Sequence, residues 1–236
     1  MKQIRTIWFV LVYAGVVGSF LLAAHLCNTA VTVMAQHTPL ERDNVIVIDA
    51  GHGGEDGGAV SCTGVMEKQI NLEIALKLND LLRLMGYRTK MIRMDDRSVC
   101  TTGDTIARRK VSDLKERVRV VEETENAVLV SIHQNLFPDA RYSGAQVFYG
   151  PAGEGQALAD VLQASFRQTI NPGSNREIKQ AKGVYLMEQI NCTGILVECG
   201  FLSNPQEEGL LRTKDYQQHI CTVIASNLAN FLDRQT

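Results

Sequence analysis

The sequence predicts one α/β domain: a mainly parallel, twisted sheet with helices on both faces, preceded by one N-terminal hydrophobic helix. Short runs such as Val45-Ile46-Val47-Ile48, Val128-Leu129-Val130 and Ile195-Leu196-Val197 are apolar without alternation, the pattern of strands buried on both faces. Between them lie longer segments whose apolar residues recur every three or four positions, so strands and helices alternate. At the start, residues 7–26 contain no Asp, Glu, Lys or Arg, which is enough chain to cross a bilayer core of roughly 30 Å.

Lys2 and Arg5 precede that apolar stretch, which keeps the N-terminus cytoplasmic and exports the remainder of the chain. Residues 1–35 therefore read as a signal-anchor or transmembrane segment, holding the domain at the extracytoplasmic face of the membrane. Val33-Met34-Ala35 resembles a small-residue cleavage site, whereas the apolar run is longer than a signal-peptide core. Retention and cleavage both stay open, and cleavage would leave a secreted domain. Bulky Leu26 before Cys27 argues against a lipoprotein cysteine. Residues 36–44 read as a polar linker and 45–236 as the folded domain.

Within that domain, residues 45–49 form the first strand. Ile70, Ile74, Leu78, Leu81, Leu82 and Met85 mark a helix that stops at Gly86. Residues 87–94 read as the second strand, 95–110 as a long polar loop and 111–124 as a helix. Strands follow at 127–132 and 145–149. A helix over 158–170 is broken by Asn171-Pro172-Gly173-Ser174-Asn175, and 183–187 reads as another short strand. Residues 195–197 are a buried strand, and 216–232 close the chain as an amphipathic helix.

Composition narrows the classes. The 236 residues are 45% hydrophobic and 21% charged, ordinary values for a domain with a full core. Two of the 24 basic residues precede the apolar stretch, leaving 22 against 26 acidic ones, a net charge of −4 on the exported part. No basic stripe with interleaved aromatics occurs, so nucleic acid is not an expected partner. The six cysteines form no Cys-x-x-Cys pair. Those beyond Cys27 read mainly as small buried side chains, with a Cys62–Cys100 bridge left open because both fall in loops.

Four polar residues carry the chemistry. His52 lies in Asp49-Ala50-Gly51-His52-Gly53-Gly54 after the first strand, and Glu67 starts the next helix. His133 comes after the third strand, and Glu198 comes after Ile195-Leu196-Val197. In an open α/β sheet, ligands bind outside the carboxyl ends of the strands, so these residues converge on one edge. Two imidazoles and a carboxylate around a metal with an open fourth position make a catalytic zinc arrangement, and a second carboxylate can handle protons. Each residue also has a plainer reading. His52 can be incidental to a glycine turn, Glu67 can serve a helix dipole, and His133 can be a satisfied core histidine. Glu198 resists such a reading, because its apolar neighbours make a carboxylate costly without a compensating cation or hydrogen bonds.

The strings Ile48-Asp49-Ala50-Gly51-His52-Gly53-Gly54, Glu67-Lys68, Ser131-Ile132-His133-Gln134-Asn135 and Val197-Glu198-Cys199-Gly200-Phe201-Leu202-Ser203-Asn204 resemble the zinc-dependent N-acetylmuramoyl-L-alanine amidases over residues 45–232. The resemblance implies zinc as cofactor with His52, Glu67 and His133 as ligands, Glu198 as the catalytic carboxylate and peptidoglycan as substrate. Arg93, Asp95 and the Leu114 to Arg117 segment match the family, while residues 99–110 are inserted relative to many members. That insertion and the directly attached membrane segment resemble the spore-cortex amidases of endospore formers, which implies cortex modification or germination and the space between the forespore membranes. Arg108, Arg109 and Lys110 read as a solvated loop or as a grip on a peptide carboxylate. Two other readings stay open: a zinc peptidase acting on a wall peptide, and a non-catalytic, membrane-tethered wall-binding protein with structural zinc. Glu198 discriminates against the second, and His37 and His219 are poorly placed as substitute ligands. The sequence leaves room for an activating protein partner without identifying one.

Overall fold

The structure is a computed structural model that describes residues 43–234, together with 15, 17–19 and 22. The expected membrane segment and cleavage site lie almost wholly outside the described residues, as do Cys27 and His37. Among the described residues no helix is long and apolar enough to cross a membrane. The chain divides into two units, Met1–Arg42 and Asp43–Thr236. The second is the α/β domain.

Its elements are β1 (Val45–Ala50), α1 (Glu67–Leu84), β2 (Arg88–Met91), α2 (Ile106–Glu122), β3 (Ala127–Asn135), β4 (Gln146–Tyr149), α3 (Gly155–Thr169), β5 (Lys179–Gln180), α4 (Tyr185–Gln189), β6 (Thr193–Phe201), α5 (Pro205–Leu211) and α6 (Lys214–Leu232). They form one six-stranded sheet in the order β2-β1-β3-β6-β4-β5. Strands β2, β1, β3 and β6 are parallel, whereas β4 runs antiparallel to β6 and carries β5 parallel to itself. The sheet is mainly parallel, as expected, with a reversed pair at one side.

Alternation along the strands divides the core in two. Ile46, Ile48, Val128, Val130, Ile132, Ile195 and Val197 face one way, against α1, α3 and α6. Val47, Leu129 and Leu196 face the other way, toward Val121 of α2 and Leu186 and Met187 of α4. Strands covered on both faces need apolar residues at every position, which is why β1 reads as an unbroken run. In α1, Ile70, Ile74, Leu78 and Leu82 are buried at helical spacing, and the chain turns away at Gly86 with φ +85°.

Three expectations are corrected. Residues 183–187 are not a strand. Tyr185–Gln189 is a helical turn, and the edge strand is the two-residue Lys179–Gln180. Helix α2 starts five residues earlier than its apolar pattern predicts, because Thr105 caps it by accepting a hydrogen bond from Arg108 N at 3.3 Å. Arg108, Arg109 and Lys110 therefore lie within its first five residues rather than in a loop. Of the five described cysteines only Cys199 and Cys221 are buried, whereas Cys62 is exposed and Cys100 and Cys192 are half-buried; all five are unbridged, so the Cys62–Cys100 pair left open by the sequence does not form. Strands β3 and β6 also extend to nine residues each, so His133 and Glu198 sit within them as cross-strand partners.

Candidate metal centre

The parallel registers set the site. Ala50 pairs with Ile132, and His133 pairs with Glu198, so β1, β3 and β6 deliver their polar residues to one edge. The register shifts just beyond this pair, because β6 takes three residues from Glu198 to Phe201 where β3 takes two from His133 to Asn135. The β1 strand then breaks into a loop whose His52 has φ +61°, the left-handed region, followed by Gly53 at +137° and Gly54 at +58°. Glu67 enters from the other side as the first residue of α1.

His52, Glu67 and His133 form a group able to hold a metal ion, with their ligand atoms all within 4.8 Å of one another. His52 Nε2 lies 3.1 Å from Glu67 Oε2, and His133 Nδ1 lies 2.9 Å from Glu67 Oε1. The two imidazoles meet edge-on, with ring centres 5.0 Å apart. Two glycines leave the required room. A Cβ on Gly51 would lie 2.2 Å from His133 Nε2, and one on Gly58 would lie 2.6 Å from Glu67 Oε2.

The Glu67 carboxylate is buried and held from several sides. Ala59 N donates to Oε2 at 2.9 Å, while Gln134 N and Asn71 Nδ2 donate to Oε1 at 3.1 and 3.0 Å. Burial alone would raise its pKa, but hydrogen bonds from His133 and His52 hold it well below the usual carboxylate range. Burial lowers the pKa of His52, and the contacts with Glu67 and Asp56 outweigh it and raise the value. The ring is anchored by Asp56, whose Oδ2 lies 2.9 Å from Nδ1. A carboxylate on Nδ1 fixes the tautomer that leaves Nε2 free to bind a metal.

Glu198 stands beside this group without bonding to it. Its Oε2 is buried and has no hydrogen-bond partner among the described residues. Burial pushes its pKa up to about 7, with His133 and His52 pulling it down and Glu67 raising it. A carboxyl group with a free oxygen that titrates near neutrality is suited to accepting and returning a proton. The three-donor cluster, the unpartnered carboxyl and the glycine clearances together suit a zinc ion with one open position.

Sequence reasoning named Arg93 and the Leu114 to Arg117 segment as family matches but gave them no role in holding the β1 loop. Buried Arg117 of α2 pairs with Asp49 through Nη1, and its Nη2 donates to His52 O at 2.7 Å. Ser131 Oγ donates to the other Asp49 oxygen at 2.7 Å. Fully buried Arg93 donates through Nε to Ala50 O at 2.7 Å and through Nη2 to Gly51 O at 3.0 Å. Two arginines thus occupy the carbonyls on either side of the turn that presents His52. Lys110 reaches Asp56 at 3.2 Å, and Arg109 reaches Glu55 at 2.7 Å, so two of the three cations of the inserted segment are paired with this loop, while Arg108 pairs with Asp104. His219 is exposed on α6 and takes no part in the cluster.

Residues 46–230 match a family model described as N-acetylmuramoyl-L-alanine amidase. The germination-specific N-acetylmuramoyl-L-alanine amidase of Bacillus subtilis (strain 168) is 36% identical over 189 residues, covering 79% of each chain. The CwlD amidase of Clostridioides difficile, solved in complex with the GerS lipoprotein, superposes with a TM-score of 0.77 at 34% identity, over 80% of this chain and 98% of that one. The amidase AmiA of Escherichia coli (strain K12) is 26% identical over 232 residues, covering 79% of this chain and 75% of its own.

Proposed function

This chain belongs to the N-acetylmuramoyl-L-alanine amidase family, and we propose that His52, Glu67 and His133 are the zinc ligands of its active site and Glu198 the proton-transferring carboxylate. The family reaction hydrolyses the amide between the muramic acid lactyl group and L-alanine, so the chain is a hydrolase that releases stem peptides from the peptidoglycan glycan. The observation that carries the site assignment is the unpartnered, near-neutral Glu198 beside a three-donor cluster.

Zinc bound at the cluster would supply a Lewis acid that polarises the amide carbonyl and acidifies water. The chain's own residues do the rest. Glu67 and the two histidines fix the donor geometry, with Asp56 setting the His52 tautomer. Glu198 takes a proton from the attacking water and returns it to the nitrogen as the alanine amine departs. The lactyl group leaves as a carboxylate and the stem peptide as a free amine. Arg117, Arg93 and Asp49 hold the β1 turn so that His52 does not move during turnover.

Anchoring at the extracytoplasmic face through residues 7–26 belongs to the same proposal, as does action on spore cortex and engagement of a lipoprotein partner. Their support is the polarity of the first 26 residues and the similarity to the germination-specific and CwlD amidases. The test is mass spectrometry of purified sacculi digested by the full chain. With zinc, stem peptides carrying a free L-alanine amine are released, and chelation stops their release. Fragments that keep L-alanine on muramic acid would instead support a peptidase.

A further inference from the structure

Beyond Glu198 the sheet edge carries a chemically different surface. Because β4 runs against β6, the segments that enter β4 and β5 lie at the same edge as the residues that end β3 and β6. Glu198 pairs with Gln146 across the β4–β6 ladder. Gln146 Nε2 in turn donates to Glu177 O at 2.7 Å, next in sequence to Arg176. One strand over from Glu198 lies an open groove of about 570 Å³ lined by Asp139, Arg141, Tyr142, Ser174, Asn175 and Arg176.

Aromatic rings adjoin this groove. The Tyr142 ring centre lies 4.5 Å from that of Phe137 and 6.3 Å from that of Phe201, three residues after Glu198. The Arg176 guanidinium sits 5.3 Å from the Tyr142 ring centre and 4.5 Å from that of Phe201. Hydrogen bonds pin the loop: Phe137 N donates to Ser203 Oγ at 3.2 Å, Asn204 Nδ2 to Ala140 O at 2.9 Å, and Arg176 Nε to Ser143 O at 3.0 Å. Phe137 and Tyr142 nevertheless remain 44% exposed. Rings left half-exposed, framed by hydroxyl, amide and guanidinium groups, suit a ligand with apolar C–H faces and a rim of hydroxyl and acetamido groups. A protein interface concentrates apolar side chains at a desolvated centre and keeps charge at the rim. Here charged and polar side chains line the groove itself.

We propose that this groove holds the glycan strand of the substrate, an N-acetylated amino-sugar polymer, on the side of Glu198 remote from β1. The inference rests on the amidase reading, since the scissile amide joins a peptide to a glycan that must run past the site. A sugar face stacks on Tyr142, and Arg141, Ser174, Asn175 and Arg176 meet its polar substituents. The peptide then extends the other way, toward the first turn of α2.

Two measurements on the full chain in mild detergent test this. Calorimetry with a peptide-free amino-sugar oligosaccharide is expected to show binding that Tyr142→Ala weakens about 3- to 10-fold and Tyr142→Phe retains, the size expected for one aromatic contact. The ratio of kcat/KM on polymeric glycan-borne substrate to kcat/KM on a single N-acetylmuramoyl-peptide is expected to fall in Tyr142→Ala, through KM on the polymer. Wild-type protein that does not bind the oligosaccharide, or Tyr142→Ala that binds it equally well, overturns the proposal, including the case where Tyr142→Ala loses only a protein contact. Because binding is read on a ligand without the lactyl–alanine amide, absence of amidase activity would sink the functional reading and leave this result standing.

Discussion

Glu198 has the least ordinary environment among the proposed site's side chains, with a buried Oε2 that has no hydrogen-bond partner among the described residues and a pKa pushed up to about 7. Glu198→Gln should lower kcat by roughly 10²- to 10⁴-fold while zinc stoichiometry, read by elemental analysis, stays at the wild-type value. A base works only when deprotonated, so kcat/KM should fall as the pH drops through the pKa of Glu198. A bound cation favours the carboxylate, which places that acid limb at or below about 7 in the loaded enzyme. A profile flat from alkaline pH to pH 5 would remove Glu198 from the role. Asp56→Ala should instead act on the metal, weakening zinc affinity about 10- to 100-fold in a chelator competition by freeing the His52 tautomer. At this scale the four proposed site residues stood out in the sequence because each breaks an apolar run or opens a helix, and the structure brings His52, Glu67 and His133 together. Asp56, Arg93 and Arg117 were not readable as its supports. Their partners lie in the β1 loop, and Arg117 is 65 positions from the His52 carbonyl it holds, so no local pattern marks the contact.

The β1–α2 junction rests on an ion pair taken almost completely out of water, with Arg117 and Asp49 only 3% and 2% exposed. Removing one partner strands a buried charge, so Asp49→Asn should cost about 3–5 kcal/mol in denaturant unfolding. Burial alone would raise the Asp49 pKa, but Arg117, His133 and Ser131 hold it below the ordinary carboxylate value. A depressed folded pKa means that this stabilisation is present above the unfolded pKa of about 3.9 and is lost as pH falls through the folded one. The gap in melting temperature between wild type and Asp49→Asn should therefore hold steady from pH 8 to about 5 and narrow in stronger acid. Element types were mostly readable, because long buried runs and long amphipathic stretches have distinct periods. The failure at 183–187 has the same origin. Val184-Tyr185-Leu186-Met187 is too short and too apolar for either period to show, and only packing of Leu186 and Met187 toward α2 decides for a helix.

For the molecule as a whole, the site draws together the β1 loop, the start of α1 and the end of β3, which are also joined by Asn71 Nδ2 donating to Gly51 O and Gln134 Nε2 donating to Asn71 Oδ1, both at 3.2 Å. An ion gripped there binds the folded chain and not the unfolded one, so saturating zinc should add about 2.7 kcal/mol at a hundredfold excess over Kd. Chelation should lower the melting midpoint by roughly 5–10 °C for a domain of this size, while far-ultraviolet circular dichroism below the transition stays unchanged. A midpoint indifferent to chelator would argue against a metal at these residues. The mainly parallel architecture was readable from the alternation of strands and helices, whereas the reversed β4–β5 pair was not, since strand direction leaves no mark on composition. That reversal has an evolutionary consequence. On one flank of the site the chain arrives through the loops entering β4 and β5, and lengthening or recolouring those entries leaves the ends of β1 and β3 untouched. Descendants of such a scaffold are free to drift in what they grip while inheriting unchanged the chemistry by which they cut.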